Sequence, residues 1–204
     1  MPFYVKARDR MLKWLDDYAE QKISLATKAI SEFVSAKLKG ICKHPTVLTY
    51  SSSSTVEACL YAAANQGIDF DVVVVDSQPQ GFEMAKNLIE KGFKCDYVLI
   101  GGIMHVLREV SIVILRADGI LANGSVIAPF GSSQVALVAS KHNIPVLVLC
   151  QTYKFCEKVL TSPLEASWTD CEVMPAEFVT GVVTEIRMLP CSAVPAVLRI
   201  SQPT

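Results

Sequence analysis

The chain has 204 residues, of which 51% are hydrophobic and only 19% charged, with a formal net charge of −1. A chain of that length forms one domain with a sizeable core, and its near-zero charge removes any global electrostatic case for nucleic acid or an anionic membrane as partner. So little charge implies central strands buried on both faces, a surface partly covered by a partner, or both.

Residues 5–40 read as one long helix. Leu12, Leu15, Ala19, Ile23, Ala26, Ile30, Phe33 and Val34 recur at spacings of three and four, and Gly40 stops the run. Strands and helices then alternate. Thr46–Tyr50 is a strand, Ser51–Ser54 a turn with a serine to cap the helix Thr55–Gln66, and Gly67 ends that helix. Phe70–Val75 is a β-branched strand ending in Asp76, and Gln80–Lys91 is a helix closed by Gly92. Cys95–Ile100 is a strand, followed by Gly101-Gly102 and a short helix, Met104–Val110. Ile112–Leu115 is the fourth strand, Ser132–His142 a helix and Pro145–Cys150 the fifth strand. Residues 161–176 read as irregular, and the apolar runs Phe178–Val183 and Val194–Ile200 are expected to pack back on the sheet. Continuous apolar strands separated by helices of about ten residues predict an α/β fold, a Rossmann-like, doubly wound, mostly parallel sheet. Residues 1–40 form its leading helix and 41–204 the domain itself.

The longest apolar run, Tyr97–Leu107, is interrupted by Gly101-Gly102 and His105 and falls short of the roughly 18–20 residues of a membrane span. The N-terminus lacks the apolar core of a signal peptide. The seven cysteines are scattered and never form a CxxC pair, which predicts free thiols in a reducing cytosol rather than a disulfide framework or a zinc site. No metal or cofactor is expected. His44, His105 and His142 lie near the ends of different elements and suit surface or capping roles.

Ligands of open α/β sheets sit beyond the carboxyl ends of the strands. The groups expected there are Ser51, Ser52, Ser53, Ser54, Asp76, Ser77, Gln78, Asp118, Asn123 and Gln151–Lys154. Ser51–Ser54 offers hydroxyls and helix-terminal amides to a phosphate, or merely caps its helix. The serines are not the GxGxxG of a dinucleotide site, although Asp76 follows at about the right distance of 20 residues. No P-loop, GxSxG elbow or HExxH occurs. The richest stretch is Ile112–Ala139. It combines an acid at a strand end, Asp118, a turn built on Asn123-Gly124-Ser125 and a helix opening at Gly131-Ser132, and the site it forms is expected to lack the basic residue needed to hold a phosphate.

The run VVVVDSQP and the run ADGILANGSVIAPFGSSQVALVASKHNIPVLVLCQTYKFCEKV resemble the alpha/beta/delta regulatory subunits of eukaryotic translation initiation factor 2B, a superfamily shared with methylthioribose-1-phosphate and ribose-1,5-bisphosphate isomerases. Gln151–Val159 and the tail VVTEIRMLPCSAVPAVLRI look most like its delta-type members. The likeness spans roughly residues 18–200. It implies the C-terminal domain of such a subunit with one leading helix, as a fragment or a short natural form, and a loop at 161–176 shorter than in many delta subunits.

The isomerases of that superfamily use a cysteine after the first strand and an aspartate in a Gly-Ala-Asp motif. Asp118 matches the aspartate, and Ser51 stands at the cysteine position. Gln78 stands where the isomerases have an arginine before Pro79, and Ala128-Pro129 replaces their Asn-Lys pair. A serine is a far weaker acid than a thiol. Losing two charged hydrogen bonds at about 1.5–3 kcal/mol each weakens a phosphate ligand by roughly two to four decades. The resemblance therefore implies a non-catalytic regulatory subunit of the guanine nucleotide exchange factor for initiation factor 2. Its expected partners are a beta-type subunit, the other subunits of the complex and the phosphorylated alpha subunit of initiation factor 2, with a homodimer in isolation. An active isomerase, or a phosphosugar or nucleotide sensor, is the alternative. Val126, Ile127, Pro129 and Phe130, in what reads as an exposed loop, and Leu189, Val194 and Val197 of the C-terminal run are the expected interface.

Overall fold

The computed structural model describes residues 3–159 and 171–201. Two α-helices lead: α1 (Phe3–Tyr18) and α2 (Leu25–Lys39), joined by a π-helical turn at Ala19–Ser24. The expected long helix is thus one rod with a π interruption. Its second half follows the apolar periodicity into the core through Ala26, Ile30 and Val34, whereas Leu12, Leu15, Ile23 and Phe33 of the same pattern stay exposed.

The domain proper alternates β1 (Thr46–Tyr50), α3 (Ser54–Asn65), β2 (Asp71–Asp76), α4 (Gln80–Glu90), β3 (Cys95–Leu99), α5 (Ile103–Val106) and β4 (Ile112–Arg116). A hairpin of β5 (Gly119–Leu121) and β6 (Val126–Pro129) follows, then α6 (Ser132–Lys141), β7 (Val146–Leu149), β8 (Phe155–Cys156), β9 (Cys171–Met174), β10 (Gly181–Val183), β11 (Met188–Leu189) and α7 (Val194–Ser201). The main sheet runs β3-β2-β1-β4-β7-β10-β11, parallel throughout except for β11. The direction of winding reverses between β1 and β4, which makes that gap the switch point of a doubly wound sheet.

Both faces are buried, so successive strand residues enter opposite cores. Val47, Val72, Val74, Ile112, Ile114 and Leu147 pack under α2, α3 and α4 through Val34, Leu38, Leu60 and Leu88. Leu48, Val73, Val113, Leu115 and Val148 pack on the other side under α5 and α6, with Ile120, Val126, Met174 and Val194 beyond.

A second, four-stranded sheet, β8-β5-β6-β9, was not expected from the sequence. Its strands have two to four residues each, too short for a visible period. It overturns the exposed-loop reading of residues 126–130. Val126 and Ile127 are buried in an inner strand of this sheet, Pro129 is half-buried, and only Phe130, 51% exposed, faces outward. Leu189, Val194 and Val197 are likewise buried within the chain itself and offer little surface to a partner. Of the stretch expected to be irregular, 161–170 lies outside the described residues, and Cys171–Met174 is strand β9.

Cys59, Cys150 and Cys191 are buried free thiols. Burial pushes the Cys59 thiol up to about 11 and that of Cys150 to about 12, so neither is a thiolate at neutral pH. Among the described residues no helix is long and apolar enough to cross a membrane.

Candidate functional site

A cleft of about 120 Å3 opens at the switch point, lined among others by Tyr50, Ser51, Asp76, Gln78, Arg116 and Phe130. Tyr50 and Ser51 arrive at the carboxyl end of β1, Asp76 at that of β2 and Arg116 at that of β4. Tyr50 forms the floor. Its hydroxyl lies 2.6 Å from the Ser77 hydroxyl and donates to the Phe130 carbonyl at 2.5 Å. Burial, with Asp76 and Glu172 nearby, holds the phenol above its ordinary value, so it stays protonated as this geometry requires.

Ser51 is buried, adopts φ 56° and donates its N–H to Val75 O at 2.8 Å. Ser53 is the residue that caps α3, accepting from Val56 N at 3.3 Å. Asp76 is an α4 cap. Its Oδ1 accepts from the N–H groups of Ser77 and Gln78 at 3.0 and 3.3 Å, and its Oδ2 accepts from Gly81 N at 2.5 Å and from the Tyr97 hydroxyl at 3.3 Å. With its lone pairs engaged in this way, it is not poised as a base.

Asp118 follows β4 and is exposed. Its carboxylate meets the Arg116 guanidinium at 3.5 Å and accepts from the Cys171 thiol at 3.6 Å. Asn123 is not brought to the cleft. Its Oδ1 accepts from Ser125 N at 3.1 Å and shapes the β5–β6 turn, where Gly124 adopts φ 82° and a Cβ would approach the Cys191 carbonyl oxygen to 2.7 Å. Ser52 contributes its carbonyl, which accepts from Arg116 Nη1 at 3.2 Å.

Two features were missed in the sequence. Arg116 brings a cation into a cleft expected to have none, and its Nε is buried with no hydrogen-bond partner among the described residues. Its position as the last residue of β4 was the available signal. The other feature is Glu172 on β9, whose carboxylate accepts from Ser133 N at 2.7 Å. It fills the N-terminus of α6, the place where such a helix attracts an anion. Nothing in the sequence links Glu172 to a helix 39 residues earlier.

A wider hollow of about 370 Å3 lies at the opposite, amino-terminal edge of the sheet, lined by His44, Asp69, Asp71 and Lys94 among others. Open α/β sheets do not hold their ligands at that edge. There the His44 nitrogens meet Asp69 and Asp71 at 3.1 and 3.0 Å, and Lys94 meets Asp71 at 2.6 Å.

A parallel sheet wound about a central switch point, with its cleft at the carboxyl ends of β1 and β4, defines a Rossmann-like domain. Residues 4–167 match the model of the initiation factor 2 subunit family, and the chain belongs to that family. It is 28% identical to translation initiation factor eIF2B subunit delta of Schizosaccharomyces pombe, over 95% of this chain and 49% of that protein. It is 32% identical to ribose 1,5-bisphosphate isomerase of Pyrococcus furiosus, over 78% of this chain and 50% of that protein. The crystal structure of the tetrameric eIF2B-beta2-delta2 complex from C. thermophilum superimposes with a TM-score of 0.78 at 30% identity, covering 91% of this chain and 63% of that one. The chain therefore spans about half the length of the curated relatives it matches.

Proposed function

We propose that this chain is a non-catalytic regulatory subunit of the guanine nucleotide exchange factor for translation initiation factor 2, working in the cytosol in complex assembly and in sensing the phosphorylated factor. The observation that carries the reading is a switch-point cleft filled from within. Tyr50 occupies its floor, Glu172 neutralises the neighbouring helix end, and the remaining volume of about 120 Å3 is well under the roughly 300 Å3 at which ligand pockets begin. Ser51, Gln78 and Pro129 add no ionisable group to it.

The partner is a beta-type subunit, in keeping with the beta–delta pairing of the similar complex. The surface it covers lies around Phe130, with Leu99 and Met104 also exposed and Ile100 beside Gly131. Without that subunit the same patch pairs two copies of the chain. Phe130→Asp tests this directly, because an exposed side chain can be changed without unfolding the core. Analytical ultracentrifugation and co-purification with a beta-type subunit should show weakened association. Unchanged association removes this patch from the interface.

Arg116 favours a second reading, in which the cleft still senses a phosphorylated sugar or nucleotide. A thermal-shift screen with ribose 1,5-bisphosphate decides it, since a bound ligand raises the melting temperature by mass action. A shift abolished by Arg116→Gln supports the sensor, and turnover revives the isomerase.

A further inference from the structure

A second cleft is far more spacious than the switch-point one. It measures about 450 Å3 and lies between the start of α2 and the outer rim of the sheet beyond β7, with none of the switch-point residues in its wall. Gln151 closes its inner end. That side chain is 2% exposed, and its Nε2 donates to Thr55 Oγ1 at 3.4 Å. Its carboxamide oxygen is buried with no hydrogen-bond partner among the described residues. A buried acceptor left unpaired costs stability, so its retention calls for a donor that enters the cleft.

A second observation points to the same place. The π turn Ala19–Ser24, in which the Leu25 N–H reaches back to Glu20 O, delivers Ile23 and Ser24 to the opposite wall. Thr27, also in the wall, donates its hydroxyl to Ile23 O at 2.8 Å. Single π turns are costly and cluster at functional sites. The remaining lining includes the Tyr153 ring, itself partly exposed. The wall described for this cleft holds hydroxyls, one carboxamide, an aromatic ring and an isoleucine, and no Lys, Arg, Asp or Glu.

We propose that this cleft is a ligand site separate from the switch-point cleft, and that it takes an uncharged ring-bearing molecule with vicinal hydroxyls, of nucleoside size. On binding, the Gln151 carboxamide turns toward the cleft so that its oxygen accepts from a ligand hydroxyl, further hydroxyls pair with Ser24 and Thr55, and the Tyr153 ring packs on the ligand ring. The volume fits, since small-molecule sites begin at roughly 300 Å3. Among the described residues the wall offers no cation to a phosphate, so the expected ligand is unphosphorylated.

The test is ligand-observed NMR and calorimetry with adenosine, uridine and free ribose on the intact chain. Binding is expected in the micromolar to millimolar range and at least tenfold weaker in Gln151→Leu. That variant should melt no lower than the parent, because it deletes the unpaired acceptor. Tyr153→Ala should weaken the nucleosides more than ribose if the base is what stacks, and both equally if the sugar is the recognised part. Gln78→Ala, in the other cleft, should change nothing. No binding of any of the three probes overturns the proposal. So does binding that Gln151→Leu leaves intact, or that Gln78→Ala abolishes.

Discussion

The Tyr50 hydroxyl donates to the carbonyl of Phe130, and the next residue, Gly131, turns beneath the same phenol at φ 98°. A Cβ on Gly131 would collide with the Tyr50 ring. Gly131→Ala therefore meets two penalties, a left-handed backbone costing about 1–2 kcal/mol and an overpacked contact costing about 1–3 kcal/mol. Urea unfolding should show a loss of several kcal/mol. Tyr50→Phe loses the hydrogen bonds to Ser77 and to the Phe130 carbonyl, at about 1 kcal/mol each, without any backbone strain or overpacking, and should fold. If Gly131→Ala is as stable as Tyr50→Phe, the close approach is not real.

Glu172 performs for α6 what a capping residue performs for other helices. Glu172→Ala should lower stability by about 1 kcal/mol, the usual value of a lost N-cap. Glu172→Gln keeps an acceptor and loses only the charge–dipole term of roughly 0.3–1 kcal/mol. Thermal melts of both variants should fall in that order, and equal melting of Glu172→Ala and the parent would remove Glu172 as a cap.

His44 predicts a pH dependence with a definite sign. Its hydrogen bond to Asp71, opposed in part by desolvation and aided by Asp69, raises its pKa above 6.5. A raised histidine contributes stability that is complete below its unfolded pKa and fades as pH rises through the folded one. Asp71 is lowered below 3.8, chiefly by its hydrogen bond from Lys94, so its contribution is present above that value and lost as pH falls through the folded pKa. The cluster is fully formed between the two, at mildly acidic pH. The melting difference between the parent and His44→Ala should be largest near about pH 5.5 and shrink by about pH 8.5. Because His44 and Lys94 are exposed, added salt should reduce it. A difference that grows with pH would contradict the pairing.

The main sheet was legible in the sequence because its strands are fully buried and its helices long. Thr46–Tyr50 coincides with the observed β1, and the helix expected at Gln80–Lys91 differs from α4 by its last residue. The small sheet was not legible. Val126–Pro129 looked like apolar residues stranded in a loop, when they pair with β5 and β9, the latter more than forty residues further along. The site divides in the same way. Ser51 and Asp76 do line the cleft, while Asn123 belongs to a hairpin and Asp118 faces outward beside Arg116 and Cys171.

The sequence by itself determined the parallel sheet, the serine cap of α3 and the family likeness, since these rest on local periodicity, local turn chemistry and short motifs. Only the tertiary structure decided what those parts enclose. A phenol from β1, a carboxylate from β9 and a glycine before α6 meet in one place, and a glutamine from the end of β7 closes another cleft against α3 and the π turn. The physical reason is that burial and hydrogen-bond pairing between distant segments depend on how layers stack, and no spacing along the chain records that.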